Sequence, residues 1–64
     1  MIGMWRFNDA DRFNLVCANV RRAYDNGSIL LWEFGADALG LYVRAPIAFA
    51  PYIRNLGGVP AEGE

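Results

Sequence analysis

Apolar residues at Phe13, Val16, Cys17, Val20 and Tyr24 recur at i, i+3, i+4, i+7 and i+11, the spacing that lines one face of a 3.6-residue helix. The pattern predicts a helix over residues 9–26. Asn8 or Asp9 is placed to cap it, and Asp9 and Asp11 put negative charge at the positive end of the helix dipole. Arg21 and Arg22 suit the other end, and Gly27 can take the left-handed conformation just beyond it. Before the helix, alternation over residues 2–7 predicts a strand with Ile2, Met4 and Arg6 on one face and Trp5 and Phe7 on the other.

Asp25-Asn26-Gly27-Ser28 is a turn signal, and residues 28–34 form a short aromatic and aliphatic run flanked by glycine, which reads as a strand. Leu30, Trp32 and Phe34 are then expected to face the helix, with Ile29, Leu31 and Glu33 opposite. Residues 35–37 have the length of a hairpin loop, after which residues 38–44 send Leu39, Leu41 and Val43 inward and Gly40, Tyr42 and Arg44 outward. From Ala45, Pro46 and Pro51 argue against a central strand. An extended edge segment is expected around residues 47–49. A short helical turn over 51–56 follows, with Pro51 first, Gly57 closing it, and Tyr52, Ile53 and Leu56 packing down. Residues 58–64 have the composition of a flexible tail.

The expected fold is therefore α+β: a β-α-β-β order with one amphipathic helix on a small antiparallel three-stranded sheet and a C-terminal extended or short-helical appendage. Residues 1–57 form the single domain and 58–64 the tail. The rival is a mainly helical fold in which residues 29–34 extend a helix capped by Ser28.

With 64 residues, 55% of them hydrophobic, the chain has material for one core and more apolar surface than so small a domain hides. Association with a partner or a second copy is the expectation. The single cysteine, Cys17, and the absence of histidine exclude an internal disulfide and a Cys/His zinc site. On the helix stripe Cys17 reads as core. Residues 1–7 lack the apolar segment of a signal peptide, and the most apolar stretch, 38–53, is interrupted by Arg44, Pro46 and Pro51, short of the roughly 20 residues a span needs. A soluble, cytoplasmic protein without a membrane segment is expected.

Seven acidic residues face six arginines and no lysine, a net charge of -1, so direct nucleic-acid binding through a basic surface is disfavoured. There is no phosphate-binding glycine loop, and the carboxylates do not match a calcium loop, so no cofactor or metal is expected. Asp9 and Asp11 suit a helix start, and Asp25 and Asp37 suit turns, better than acid-base catalysis. Glu33 lies in an apolar run and can pair across the sheet with Arg6 or Arg44. No catalytic constellation emerges, and the chain reads as a non-enzyme.

What remains is surface. Arg6, Leu31, Glu33, Tyr42 and Arg44 mix the apolar, aromatic and arginine groups typical of interfaces, unless the C-terminal segment folds over them through Ile47, Phe49, Tyr52 or Ile53. Asp9, Asp11, Asp25, Asp37 and Glu33 offer an acidic patch for a nucleic-acid site on another protein.

A small domain opening at Met1, one helix and three strands in this order, and the lack of a catalytic constellation together resemble the class of phage and mobile-element inhibitors that includes the anti-CRISPR proteins. The resemblance is one of class, without a residue motif. It implies a stoichiometric inhibitor that binds a host protein or nucleoprotein complex, blocking its DNA-recognition surface. The alternatives are a structural or regulatory subunit that forms homo-oligomers, and a small RNA- or single-strand-binding module using Arg6, Tyr42 and Arg44.

Overall fold

The computed structural model describes residues 1–61. The elements are β1 (Ile2–Phe7), α1 (Ala10–Asp25), β2 (Glu33–Asp37), β3 (Gly40–Pro46), a 3-10 turn (Ile47–Phe49), α2 (Ala50–Asn55) and β4 (Val59–Pro60). The fold is α+β, as expected, with one strand more: an antiparallel sheet in the order β2-β3-β1-β4. None of the helices among the described residues is long and apolar enough to cross a membrane.

β1 alternates as its sequence requires, burying Trp5 and Phe7. Only Asn8 and Asp9 separate it from α1. Asp9 caps that helix, its Oδ1 accepting the N–H groups of Asp11 at 2.9 Å and Arg12 at 3.2 Å. At the far end Ser28 N–H donates to Ala23 O and Gly27 N–H to Tyr24 O, the paired bonds of a Schellman motif, with Gly27 at φ +84°. The buried face of α1 is Phe13, Val16 and Val20. Two residues of the expected stripe depart from it: Cys17 is half-buried and Tyr24 is exposed. Phe7 meets Phe13 edge-on at 5.8 Å, in the geometry aromatic pairs prefer.

The β2–β3 hairpin turns later than its glycine suggested. Residues 35–37 lie in the strand, and Ala38 and Leu39 make the turn. Asp37 Oδ1 accepts Leu39 N–H at 2.9 Å, and Gly40 supplies a φ of +116°. Leu39, expected inward, is therefore exposed at the tip, whereas Val43 is buried and Leu41 packs on the core. In this register Trp32 and Leu31 would stand opposite Ala45 and Pro46. Pro46 has no N–H to donate, so the ladder stops and residues 28–32 are not a strand. Trp32 packs on the core and Phe34, though half-exposed, faces α1 with its ring 6.4 Å from that of Phe13, both as expected; Ile29, expected on the opposite face, packs on the core instead, and Leu30, expected to face the helix, is 89% exposed.

Pro46 ends a central strand, not an edge one, because β1 pairs with β3 as far as Ile2↔Pro46. The chain then tightens into the 3-10 turn, not the expected extended segment, with Ile47 N–H bonded to Met1 O at 3.0 Å. α2 follows with Pro51 near its start, and Gly57, at φ +90°, closes it. Ile53 is fully buried, Tyr52 and Leu56 pack beside it, and Asn19 Nδ2 donates to Tyr52 Oη at 2.6 Å, tying α2 to α1 on the same side of the sheet.

The described part of the expected tail is structured. Gly58 N–H bonds Ile53 O at 2.9 Å, Val59 and Pro60 pair with Arg6 and Trp5, and Ala61 N–H donates to Met4 O at 2.9 Å. Residues 62–64 of that expectation lie outside the described residues. Gly58 is buried where no side chain fits: a Cβ would collide with Ile53 Cγ2 and sit 3.0 Å from both Phe7 Cζ and Ile53 O. Gly58→Ala is expected to lower stability by about 1–3 kcal/mol through overpacking. Ile53→Ala should lower it by about 2–5 kcal/mol through the cavity it leaves. Urea unfolding measures both; unchanged midpoints would show that the C-terminal segment is dispensable to the core.

Candidate functional site

Because side chains alternate along each strand, the residues not used by the core are delivered to the opposite face of the sheet. The registers align them in two rows. Arg6 stands opposite Tyr42, which stands opposite Gly35; Met4 stands opposite Arg44, which stands opposite Glu33. Phe49, Tyr52 and Ile53 of the C-terminal segment complete the core on the helix side instead of folding over the rows, and at the end of the second row Met4 and Arg44 share a cavity with Ile47, Ala50 and Arg54.

The first row is held at both ends. Tyr42 leans over Gly35, where a Cβ would lie only 3.0 Å from Tyr42 Oη, so the glycine makes room for the ring. The Arg6 guanidinium lies 5.9 Å from the centre of the Tyr42 ring, within cation-π reach. Arg6 also grips Asp37 in a bidentate pair, Nη1 to Oδ1 at 2.8 Å and Nη2 to Oδ2 at 3.0 Å, and Nη1 reaches Gly40 O at 3.4 Å. The Arg6 side chain is only 16% exposed. The Arg6 hydrogen bond, followed by the Leu39 N–H bond, holds the Asp37 carboxyl below the ordinary carboxylate range. In the second row, Arg44 Nε lies 3.8 Å from Glu33 Oε1, which realises one of the two pairings the sequence suggested for Glu33.

Five of the candidate residues, Arg6, Glu33, Asp37, Tyr42 and Arg44, are thus brought onto one face. The other carboxylates are not gathered with them. Asp9 and Asp11 sit at the start of α1, with Asp9 3.9 Å from Arg12, whereas Asp25 is at the opposite end, 3.6 Å from Arg21. A helix of 16 residues separates those ends by roughly 24 Å at about 1.5 Å per residue. The acidic residues therefore do not form one patch. No cluster of three or more Cys, Asp or Glu suited to a metal ion occurs among the described residues.

A second feature escaped the sequence. Asn14, Cys17, Ala18, Arg21 and Tyr24 of α1 face Trp32 and Phe34 across a groove of about 460 Å³. Trp32 and Phe34 stack at 4.8 Å and 21°. Burial pushes the Cys17 thiol up to about 11, so it stays protonated at neutral pH and is a poor nucleophile. Leu31, half-exposed, precedes β2 beside this groove instead of joining the two rows. The available signal was the length of the apolar run over residues 29–34, more than one short strand can bury.

Asp37 supplies a pH test. Its carboxyl is shifted down in the folded state, so its stabilisation is complete above the unfolded-state value near 4 and is lost as pH falls through the lower folded value. Wild type should melt higher than Asp37→Asn at neutral pH, and the gap should close in melts taken below about pH 4. Asparagine keeps an acceptor for Leu39 N–H but sets an N–H donor where Oδ2 accepts from Arg6, so the gap reports the loss of the whole Arg6 pair; a gap unaffected by acid would dissociate that pair from stability.

Comparison with known proteins gives no match: no family model, no curated protein and no solved structure corresponds to this chain.

Proposed function

We propose that this protein is a small non-enzymatic binding module that occupies a surface of a larger protein or nucleoprotein complex, as a phage anti-defence inhibitor of the anti-CRISPR class would. The observation that carries this proposal is the ordered Tyr42–Arg6–Asp37 and Arg44–Glu33 array on the open sheet face. Tyr and Arg dominate binding hot spots, and holding them on paired strands lowers the entropy lost on docking. The two arginines of the rows each face a carboxylate from β2, so the face is balanced in charge. Such balance favours a protein surface over a bare phosphate backbone, which rewards unpaired cations. The single, unpaired cysteine suits the reducing cytoplasm, where we place the protein.

Capture from lysate of the native host, after nuclease treatment, tests this function when wild type is compared with Arg44→Ala and Tyr42→Ala. The Arg44–Glu33 contact is exposed, so Arg44→Ala should leave the melting temperature nearly unchanged. Binding to a stoichiometric complex should weaken by roughly tenfold or more in both variants. Binding to free nucleic acid that falls steeply with salt, or capture indifferent to both substitutions, would overturn the proposal.

A further inference from the structure

The two edges of the sheet differ. On one side β4 is two residues long and carries Pro60, both of which blunt an edge against further pairing. On the other, β2 has five residues, no proline and no lysine, and among the described residues it pairs only with β3. In an antiparallel ladder alternate residues turn their N–H and C=O groups away from the partner strand, so β2 presents a row of such groups outward. Apolar surface concentrates beside it: Leu30 is 89%, Leu31 56%, Phe34 53% and Tyr24 47% exposed.

We propose that a second copy of this chain covers that edge, β2 pairing antiparallel with β2 about Phe34 to make one eight-stranded sheet. A two-fold axis allows few registers. Centring on Gly35 sets Glu33 directly opposite Asp37 of the second copy, a like-charge contact that opposes pairing. Centring on Ala36 draws the strands toward their turns and leaves Leu30 and Leu31 beyond the overlap. Centring on Phe34 sets Phe34 opposite Phe34, Trp32 opposite Ala36 and Glu33 opposite Gly35. Apart from the two phenylalanines on the axis, large positions then meet small ones, no like charges face each other, and the Arg6–Asp37 and Arg44–Glu33 pairs are undisturbed.

The available area is of the right order. A stable dimer buries about 800 Å² on each copy, close to a fifth of the 4308 Å² surface of this chain. At roughly 200 Å² per side chain, the exposed fractions of Leu30, Leu31, Phe34 and Tyr24 amount to roughly 500 Å². The groove walls and the β2 backbone supply the remainder. In this dimer both outer faces stay open, side by side on one sheet, so the pairing stands independently of the proposed function and duplicates its surface.

Sedimentation equilibrium across a wide concentration range tests the pairing. Wild type should behave as a dimer. Ala36→Arg, which replaces the small side chain facing Trp32 of the second copy with a long charged one that does not fit there, should weaken dimerisation by roughly tenfold or more with unchanged circular dichroism. Val59→Glu on the opposite edge should leave it intact. Leu30→Glu, at a side chain with almost no contacts in the single chain, gives the same loss and serves if Ala36→Arg does not fold. A wild-type monomer at millimolar concentration overturns the proposal, as does a dimer that survives Ala36→Arg and Leu30→Glu or one that Val59→Glu dissociates.

Discussion

The packing of β1 and β3 against one face of α1 is the contact on which the rest of the structure depends. Trp5, Phe7, Val43 and Ala45 on the sheet meet Phe13, Val16 and Val20 on the helix, and Ile53 of α2 closes the same core. Each fully buried aliphatic or aromatic side chain in such a core contributes about 1.5–3 kcal/mol, so losing one removes a sizeable part of the stability of a domain this small. The inward side chains fix the strand registers, since a slip by one residue would turn Trp5 and Phe7 to solvent. Those registers then decide which residues meet on the far side. Tyr42 reaches both Arg6 and Gly35 because Val43 is pinned between Trp5 and Phe34. The outer array is thus a consequence of the core, held by the same backbone.

The elements with local signals were legible in the sequence. β1 shows strict alternation, α1 carries its own cap and Schellman glycine, and α2 is bracketed by Pro51 and Gly57. The turn between β2 and β3 was not, because Gly35 with Asp37 and Asp37 with Gly40 make equally good local signals. The choice falls to the second through contacts that are not local. Arg6, 31 residues away, holds the Asp37 carboxylate whose other bond closes the turn. Once the turn shifts, Pro46 falls opposite the apolar run and ends the ladder, which exposes Leu30 and Leu31. One misplaced turn therefore accounts for the error in β2, in Leu39 and in the groove. β4 was hidden for a different reason: two residues have no periodicity, and they are held by Gly58 against Ile53 and by pairing with β1.

Of the candidate site, the part that depends on alternation was readable and the part that depends on distance was not. Strand parity alone places Arg6, Tyr42 and Arg44 outward, and it leaves Glu33 to pair with Arg6 or Arg44, between which the register decides for Arg44. The acidic group was assembled from composition, which carries no geometry, and α1 holds Asp9 and Asp25 at its two ends.

Charge balance also bears on how such a face would work. With Asp37 on Arg6 and Glu33 on Arg44, and a net charge of -1, the molecule projects little field, so long-range steering toward a charged partner is weak. Specificity must then come from short range. Docking a protein against these rows leaves each ion pair in a drier environment, where a bidentate pair such as Arg6–Asp37 keeps its partners satisfied and the longer Arg44–Glu33 contact must reorganise or gain a bond from the partner. Arg6 is therefore the fixed part of the surface, already ordered before any encounter. Arg44, half-exposed and loosely held, is the part able to adapt to what it meets.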